Sequence, residues 1–412
     1  MPVRAWLRLC RGVVCPRHST NLYQAFPMNT INSKKIAIVG GGPGGLTLAR
    51  LLQMRGADVQ VYERDRNKDA RSQSATLDLH EESGLSALRE AGLWKAFQAN
   101  YRPGAEKMRV MDKHANIVHD DHADASGETN RPEIDRGPLQ NILLDSLAPG
   151  TVAWGRRFAS PSPHNGGWKL TFQNGESALA DIVIAADGGS SKLRPHLTPL
   201  KPFYAGLTVV EGSVPHSETA SPQIHHLQIH HLLKGGKIFA FGDEKSLIVS
   251  AKGDGSLVFY TGVKTPEYWS RDSCLDFGDK DQVSAWFQQE YAGWDSVWQE
   301  PFDAASGSFV PRPQYCMSID QTWDAQPNLT LLGDAAHLMP PYAGEGVNMA
   351  MQDALELSQC LTASDYPDTR SAIAAYEQQM RTRASQTAAD TLESTAALHS
   401  PDAIAFMLSV LG

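Results

Sequence analysis

Residues 34–45 read Lys34-Lys35-Ile36-Ala37-Ile38-Val39-Gly40-Gly41-Gly42-Pro43-Gly44-Gly45, and the next stretch ends in Asp58-Val59-Gln60-Val61-Tyr62-Glu63. The apolar run before Gly40 is a strand pattern that runs straight into glycine. Gly40, Gly42 and Gly45 satisfy the G-x-G-x-x-G spacing. Between Leu46 and Met54, Leu46, Ala49 and Leu52 recur at helical spacing, as do Leu48 and Leu51, and Gly56 can stop that helix. A second strand follows and closes on Glu63. Glycines let backbone approach a pyrophosphate closely, and the helix N-terminus behind them stabilises its charge. A carboxylate at Glu63 accepts hydrogen bonds from ribose hydroxyls and repels a 2′-phosphate, so the bound nucleotide is FAD or NAD. In this strand–turn–helix–strand context the glycine motif is specific.

Two later stretches select the flavin. Asp181-Ile182-Val183-Ile184-Ala185-Ala186 is a buried-strand pattern that leads into Asp187-Gly188-Gly189-Ser190-Ser191-Lys192-Leu193-Arg194. Leu329-Thr330-Leu331-Leu332 runs into Gly333-Asp334-Ala335-Ala336-His337, then the loop Leu338–Glu345 and a helix from Gly346 through Asn348 and Asp353. Asp334 can accept a hydrogen bond from a ribityl hydroxyl. The helix at Gly346 can direct its positive end at the N1–C2 carbonyl edge of a flavin. His337 reads as a structural histidine, because this chemistry needs no base there.

These elements resemble the signatures of the FAD-dependent aromatic hydroxylases. Tyr62-Glu63-Arg64-Asp65, Thr76-Leu77-Asp78-Leu79-His80, Pro132-Glu133-Ile134-Asp135-Arg136 and Gly333–Gly344 further resemble the tetracycline-inactivating flavin monooxygenases, over essentially Lys34 to Gly412. The resemblance implies FAD as the held cofactor, with NADPH or NADH as a transient reductant. It implies FAD contacts at Asp78, Arg136 and Asp334 and places Arg71 at the NADPH position. In that family a Gln and an Arg face the tetracycline; approximate alignment puts Glu211 and Lys237 there. Pro341 of the flavin loop is assigned to the substrate with them, and Glu345 stands where a Gln is common.

The implied fold is α/β: a Rossmann-like FAD-binding domain, an interleaved antiparallel-sheet substrate domain and a C-terminal bridging helix. The expected boundaries are 34–200 with 315–365 for the FAD domain, 201–314 for the substrate domain and 366–412 for the helical end. Strands are expected at Leu207–Glu211, Ile224–Leu233, Lys237–Phe241, Leu247–Ala251 and Leu257–Val263. The repeat Gln223-Ile224-His225-His226-Leu227, Gln228-Ile229-His230-His231-Leu232 invites a metal. Adjacent strand residues face opposite ways, however, and no Cys or acidic partner is near, so no metal site is assigned.

Residues 1–33 are expected to lie outside the fold. Their arginines and lack of acids suit an organelle transit peptide. A short apolar stretch and no clear processing site favour an extension, or a start upstream of Met28. Across 412 residues the net charge is −9, with 42% hydrophobic and 20% charged residues, which excludes disorder and argues against nucleic acid. No apolar run approaches a membrane span. Five scattered cysteines suit reduced thiols and a cytoplasmic location. The expected partners are a small-molecule substrate and O2, with no nucleic acid or membrane, and the expected state is a monomer.

The functional expectation is an NAD(P)H-dependent FAD monooxygenase that hydroxylates a phenolic or enolic small molecule, with tetracycline inactivation, and so antibiotic resistance, within its reach. An acidic enol supplies its own nucleophilic carbon, so no catalytic base is named. The rivals are hydroxylation of another aromatic or polyketide metabolite and a flavin-binding redox sensor.

Overall fold

Parallel strands buried on both faces read as continuous apolar runs, and two such runs, Lys35–Val39 and Ile182–Ala185, lie side by side within the first sheet. The computed structural model describes residues 30–70, 76–122, 131–215 and 227–411. Its five-stranded sheet is wholly parallel, in the order Leu329–Leu331, Ile182–Ala185, Lys35–Val39, Asp58–Tyr62 and Val152–Ala153. Ile38 is aligned with Ile184 on one side and Val61 on the other. Leaving Lys35–Val39, the strand order departs in opposite directions, so a crevice opens at the ends carrying Gly40 and Asp187. Helices Pro43–Met54, Gly346–Thr362 and Thr369–Leu398 share the core of this sheet. Within it, the Tyr376 hydroxyl donates to the Leu331 carbonyl at 2.9 Å.

The second sheet has seven strands: Val310–Cys316, Phe203–Val214, Leu257–Lys264, Lys245–Ala251, Lys237–Gly242, Met108–Asp112 and Ile117–Asp120. All pairs are antiparallel except Lys237–Gly242 with Met108–Asp112. One face carries Val210, Leu247, Val249 and Phe259 into a core with Phe287, Trp298 and Phe302 of the segment 280–304. A small ribbon, Thr76–Asp78 with Glu133–Asp135, lies between the two sheets in the chain's path.

Three sequence expectations are corrected. Ile224–Leu233 is not a strand over its described part: Gln228–Leu233 is a helix, and residues 216–226 lie outside the described residues. Ile229 and Leu233, four apart, are buried together on one side of that helix, and Lys234 and Gly235, both with positive φ, end it. Glu300 holds its start by accepting from the Ile229 N–H at 2.8 Å. Second, residues 108–120, expected within the FAD-binding segment, supply two strands of the substrate sheet, and Val310–Cys316 straddles the expected boundary at 314. Third, the fold starts before Lys34. Ile31 is 2% exposed in the core, and the Thr30 hydroxyl donates to the Leu361 carbonyl at 2.9 Å. Composition cannot reveal one apolar residue docking at the edge of an otherwise unlike segment. Residues 1–29 lie outside the described residues.

Candidate active site

The glycines of the first turn divide by what surrounds them. A Cβ at Gly40, where φ is +116°, would lie 2.1 Å from the Ala186 carbonyl oxygen, and one at Gly45 would lie 2.2 Å from that of Gly40. Those two positions are glycine because strands and helix touch there. A Cβ at Gly42 meets nothing within 4 Å. Gly42 is also the residue before the helix Pro43–Met54, whose first turn has no acidic side chain. The turn therefore presents bare backbone and a helix N-terminus to open space, the shape a pyrophosphate requires. Glu63 Oε2 accepts from the Gly41 N–H at 2.7 Å and Oε1 from the Asp65 N–H at 2.9 Å, which fixes the carboxylate beside the glycine turn.

Asp334 opens the one-turn helix Asp334–His337 after the strand Leu329–Leu331. The residue is exposed, yet the protein around its carboxyl desolvates it enough to raise its pKa against the pull of His337, Arg136 and Arg194. The backbone that carries it is held from both sides. Arg194 Nε donates to the Ala335 carbonyl at 2.6 Å and Nη2 to the Asp334 carbonyl at 2.9 Å. Asp353 Oδ2 accepts from the Gly333 N–H at 2.8 Å and pairs with His337 Nε2 at 2.6 Å, while Arg383 of the long helix reaches Asp353 Oδ1 at 2.6 Å. His337 is thus the satisfied structural histidine that its sequence context suggests. Asp187, at the crevice, keeps Oδ1 buried without a hydrogen-bond partner among the described residues, and burial raises its pKa.

The loop before Gly346 is fastened to the ribbon. His80 is buried between two carboxylates, with Nε2 3.2 Å from Asp78 Oδ2 and Nδ1 3.4 Å from Glu345 Oε1. Asn348 accepts from the His80 N–H at 2.9 Å and donates to the Asp78 carbonyl at 2.9 Å. Its amide is therefore fully engaged with backbone, and it holds the site together as a strut. A Cβ at Gly344, where φ is +72°, would sit 3.4 Å from the Asp78 carboxylate; one at Gly346 meets nothing within 4 Å. The 17-residue helix Gly346–Thr362 thus begins with an open N-terminus beside Asp78.

The open face of the second sheet follows from its register. Tyr260 pairs with Glu211 on one side and Ile248 on the other, Ile248 pairs with Phe239, and Phe239 with Val110. Directly opposed residues share a face. Phe239, Ile248 and Tyr260, each only half-buried, therefore form a strip across the side away from the helix-covered core. Phe239, Tyr342 of the loop before Gly346 and Phe406 and Met407 of the last helix all pack against one small cluster, Val110, Phe241, Leu398 and Ala403. Arg136 joins this face to Asp334: half-buried at the start of the helix Arg136–Asp145, its guanidinium lies within electrostatic reach of Asp334, Tyr260, Glu211 and Arg312.

The structure gathers Gly40, Gly42, Gly45 and Glu63 at the first turn, sets Asp78 against the loop before Gly346 and puts Arg136 within electrostatic reach of Asp334, and Pro341 begins the short turn before Gly344. Arg71 lies outside the described residues. The two proposed substrate groups are both paired within the protein. Glu211 accepts from Arg312 Nε at 2.5 Å, and Lys237 pairs with the fully buried Glu133. His80, Arg194 and Arg312 were not singled out from sequence. His80 sits in a run that the family resemblance already marks, and Arg194 closes the Asp187 motif; Arg312 had no sequence signal.

The donor set fits a flavin dinucleotide: a bare glycine turn for the pyrophosphate, an anchored carboxylate for the ribose, and a second open helix N-terminus. The family model described as "FAD binding domain" matches residues 33–239 and 321–391. The chain is similar to monooxygenase asqM of Emericella nidulans, 27% identical over 85% of this chain and 92% of that protein. It is also similar to the structure of Klebsiella pneumoniae HpxO with FAD and uric acid, with a TM-score of 0.70 at 22% identity over 95% of this chain and 93% of that one. Tetracycline destructase Tet(55) shares the fold, with a TM-score of 0.66 at 19% identity over 89% of this chain and 88% of that one.

Proposed function

The chain belongs to the FAD binding domain family and is an FAD-dependent monooxygenase, and from that premise we propose that it hydroxylates an electron-rich phenolic or enolic small molecule, using O2 and NAD(P)H. The half-buried strip Phe239–Ile248–Tyr260, with Tyr342 of the loop before Gly346 packed against the same small cluster as Phe239, is the observation that carries this reading. The Gly40–Gly45 turn, Glu63, Asp78, Arg136, Asp334 and the helix at Gly346 would hold FAD. When bound and reduced, FAD supplies the activation of oxygen. The protein's own part is placement. The open N-terminus at Gly346 would favour negative charge on a ring bound in front of it. The Phe239–Ile248–Tyr260 strip, closed by Tyr342 and the last helix, holds a planar substrate and keeps water away.

Tetracyclines belong to this class as poor substrates. The runs that resemble the tetracycline-inactivating enzymes support that reading, and Glu211, paired with Arg312 where that family has a Gln, sets the discount. The test is product mass spectrometry from phenolic polyketides, tetracyclines included, with the purified yellow protein, NADPH and O2. Substrate-stimulated NADPH oxidation with an added oxygen atom in a product is the expected result. Protein that remains colourless after incubation with FAD, or oxidises NADPH without ever altering a substrate, would defeat the reading.

A further inference from the structure

Resting on that reading, we infer that Arg312, oriented by Glu211, is the anion-recognising group of the substrate pocket, and that the substrate is a planar aromatic or enolic acid lying on the Phe239–Ile248–Tyr260 strip with its ionised oxygens against the guanidinium. Register carries the placement. Arg312 pairs with Val209 and Val310 with Glu211, so Arg312, Glu211 and Tyr260 all project from the open face. The apolar strip thus ends in a polar pair at the edge strand Val310–Cys316.

The pair is asymmetric. The Glu211 side chain is 11% exposed, whereas that of Arg312 is 53% exposed. Glu211 is the buried anchor and Arg312 the presented group. Only Nε of Arg312 is engaged, by Glu211 Oε2; both η nitrogens lack a protein hydrogen bond among the described residues. A guanidinium fixed through Nε and open at both η nitrogens is prepared for a carboxylate or enolate in a two-pronged contact. Arg136 adds a second positive charge to the same field. Lys237 does not compete for this role, because buried Glu133 holds it at the far edge of the face.

The test uses the FAD-loaded full chain and matched probes: 4-hydroxybenzoate, 6-hydroxynicotinate and salicylate, each against its carboxamide. Binding is read from perturbation of the flavin absorption and turnover from NADPH oxidation with product mass. The acids are expected to bind at least tenfold more tightly than the amides. Arg312→Gln should weaken acid binding about 10- to 100-fold with little effect on the amides, and Arg312→Lys should recover only part. Flavin content should be unchanged in both variants. Equal binding of acid and amide, no flavin perturbation by any acid, or an Arg312→Gln protein that binds acids like wild type overturns the assignment. Acids that bind in an Arg312-dependent manner without oxygen insertion leave this inference standing and overturn the hydroxylase reading instead.

Discussion

His80 faces a carboxylate from each ring nitrogen, so both nitrogens must carry protons and the ring is held as an imidazolium. Burial disfavours that charge, but Asp78 and Glu345 outweigh it and raise the pKa to about 9. His399 is the opposite case: burial lowers its pKa to about 4, against the pull of the Thr395 carbonyl. A pKa raised on folding gives stability that is complete below the unfolded value and is lost as pH climbs through the folded one. His80 therefore stabilises on the order of 3 kcal/mol at pH 6 and loses this by pH 9 to 10. For His399 the loss comes as pH falls from about 6.5 toward 4. The melting temperature should peak between, and His80→Gln should flatten only the alkaline limb. An alkaline limb identical in wild type and variant would show that the ring is not charged. The glycines allow a second comparison. Gly40→Ala should unfold the turn, since Ala186 occupies the space, whereas Gly42→Ala should keep the apoprotein's melting temperature and lose FAD, as measured by flavin content after gel filtration. Loss of stability in Gly42→Ala would place that residue in the fold and remove it from the site.

At the scale of elements, the helices that frame the cleft are fixed by charges buried beneath them. Arg383 of Thr369–Leu398 reaches Asp353 and, at 2.7 Å, Glu356 of Gly346–Thr362, and Asp353 in turn holds Gly333 and His337. The long helix thus positions the backbone that carries Asp334 and also packs against the turn Pro341–Ala343. Arg383→Met should cost about 3 kcal/mol by leaving buried carboxylates short of their partner. The expected readings are a lower melting temperature together with faster FAD loss; a stable variant that retains flavin would confine Arg383 to the surface. This arrangement was half legible in the sequence. The helical spacing of Ala372, Tyr376 and Met380 announces the element, and its bracing role comes with the family resemblance. The partner of Arg383 cannot be read, because Asp353 lies on another helix. The strand expected at Ile224–Leu233 failed for a related reason: with two Ile–His–His repeats, periods of two and four both fit, and burial of Ile229 with Leu233 decides for the helix. Four of the five parallel strands were legible, three as apolar runs and Asp58–Tyr62 by its place before Glu63; Val152–Ala153, two residues long, gives no such signal.

Across the whole molecule, the run Pro132–Arg136 is where the two sheets are joined. Glu133 accepts from Lys237 of the substrate sheet, and Asp135 takes Arg102 Nη1 at 3.1 Å and the Gly253 N–H at 2.9 Å, while Arg136 turns into the cleft. On the opposite strand of the ribbon, Asp78 carries the His80 contact to the flavin loop. The alternation Glu–Ile–Asp puts both acids on one side of the ribbon and Ile134 into the core on the other. From sequence these acids belong to a run that carries the family resemblance; Lys237 and Gly253, which they hold, lie over a hundred residues away, and Arg102 lies 33 residues before Asp135. They make Lys237 a joint between domains, which changes what its substitution should do. Lys237→Met leaves Glu133 buried and uncompensated, at a cost of about 3–5 kcal/mol, whereas adding Glu133→Gln removes the stranded charge. The single variant should melt lower and lose FAD, and the double variant should recover most of both. Substrate preference, measured as the ratio of acid to amide binding, should be the same in the double variant as in wild type. A double variant that regains its stability but loses that ratio would return Lys237 to the substrate, where the alignment with the tetracycline-inactivating enzymes had put it.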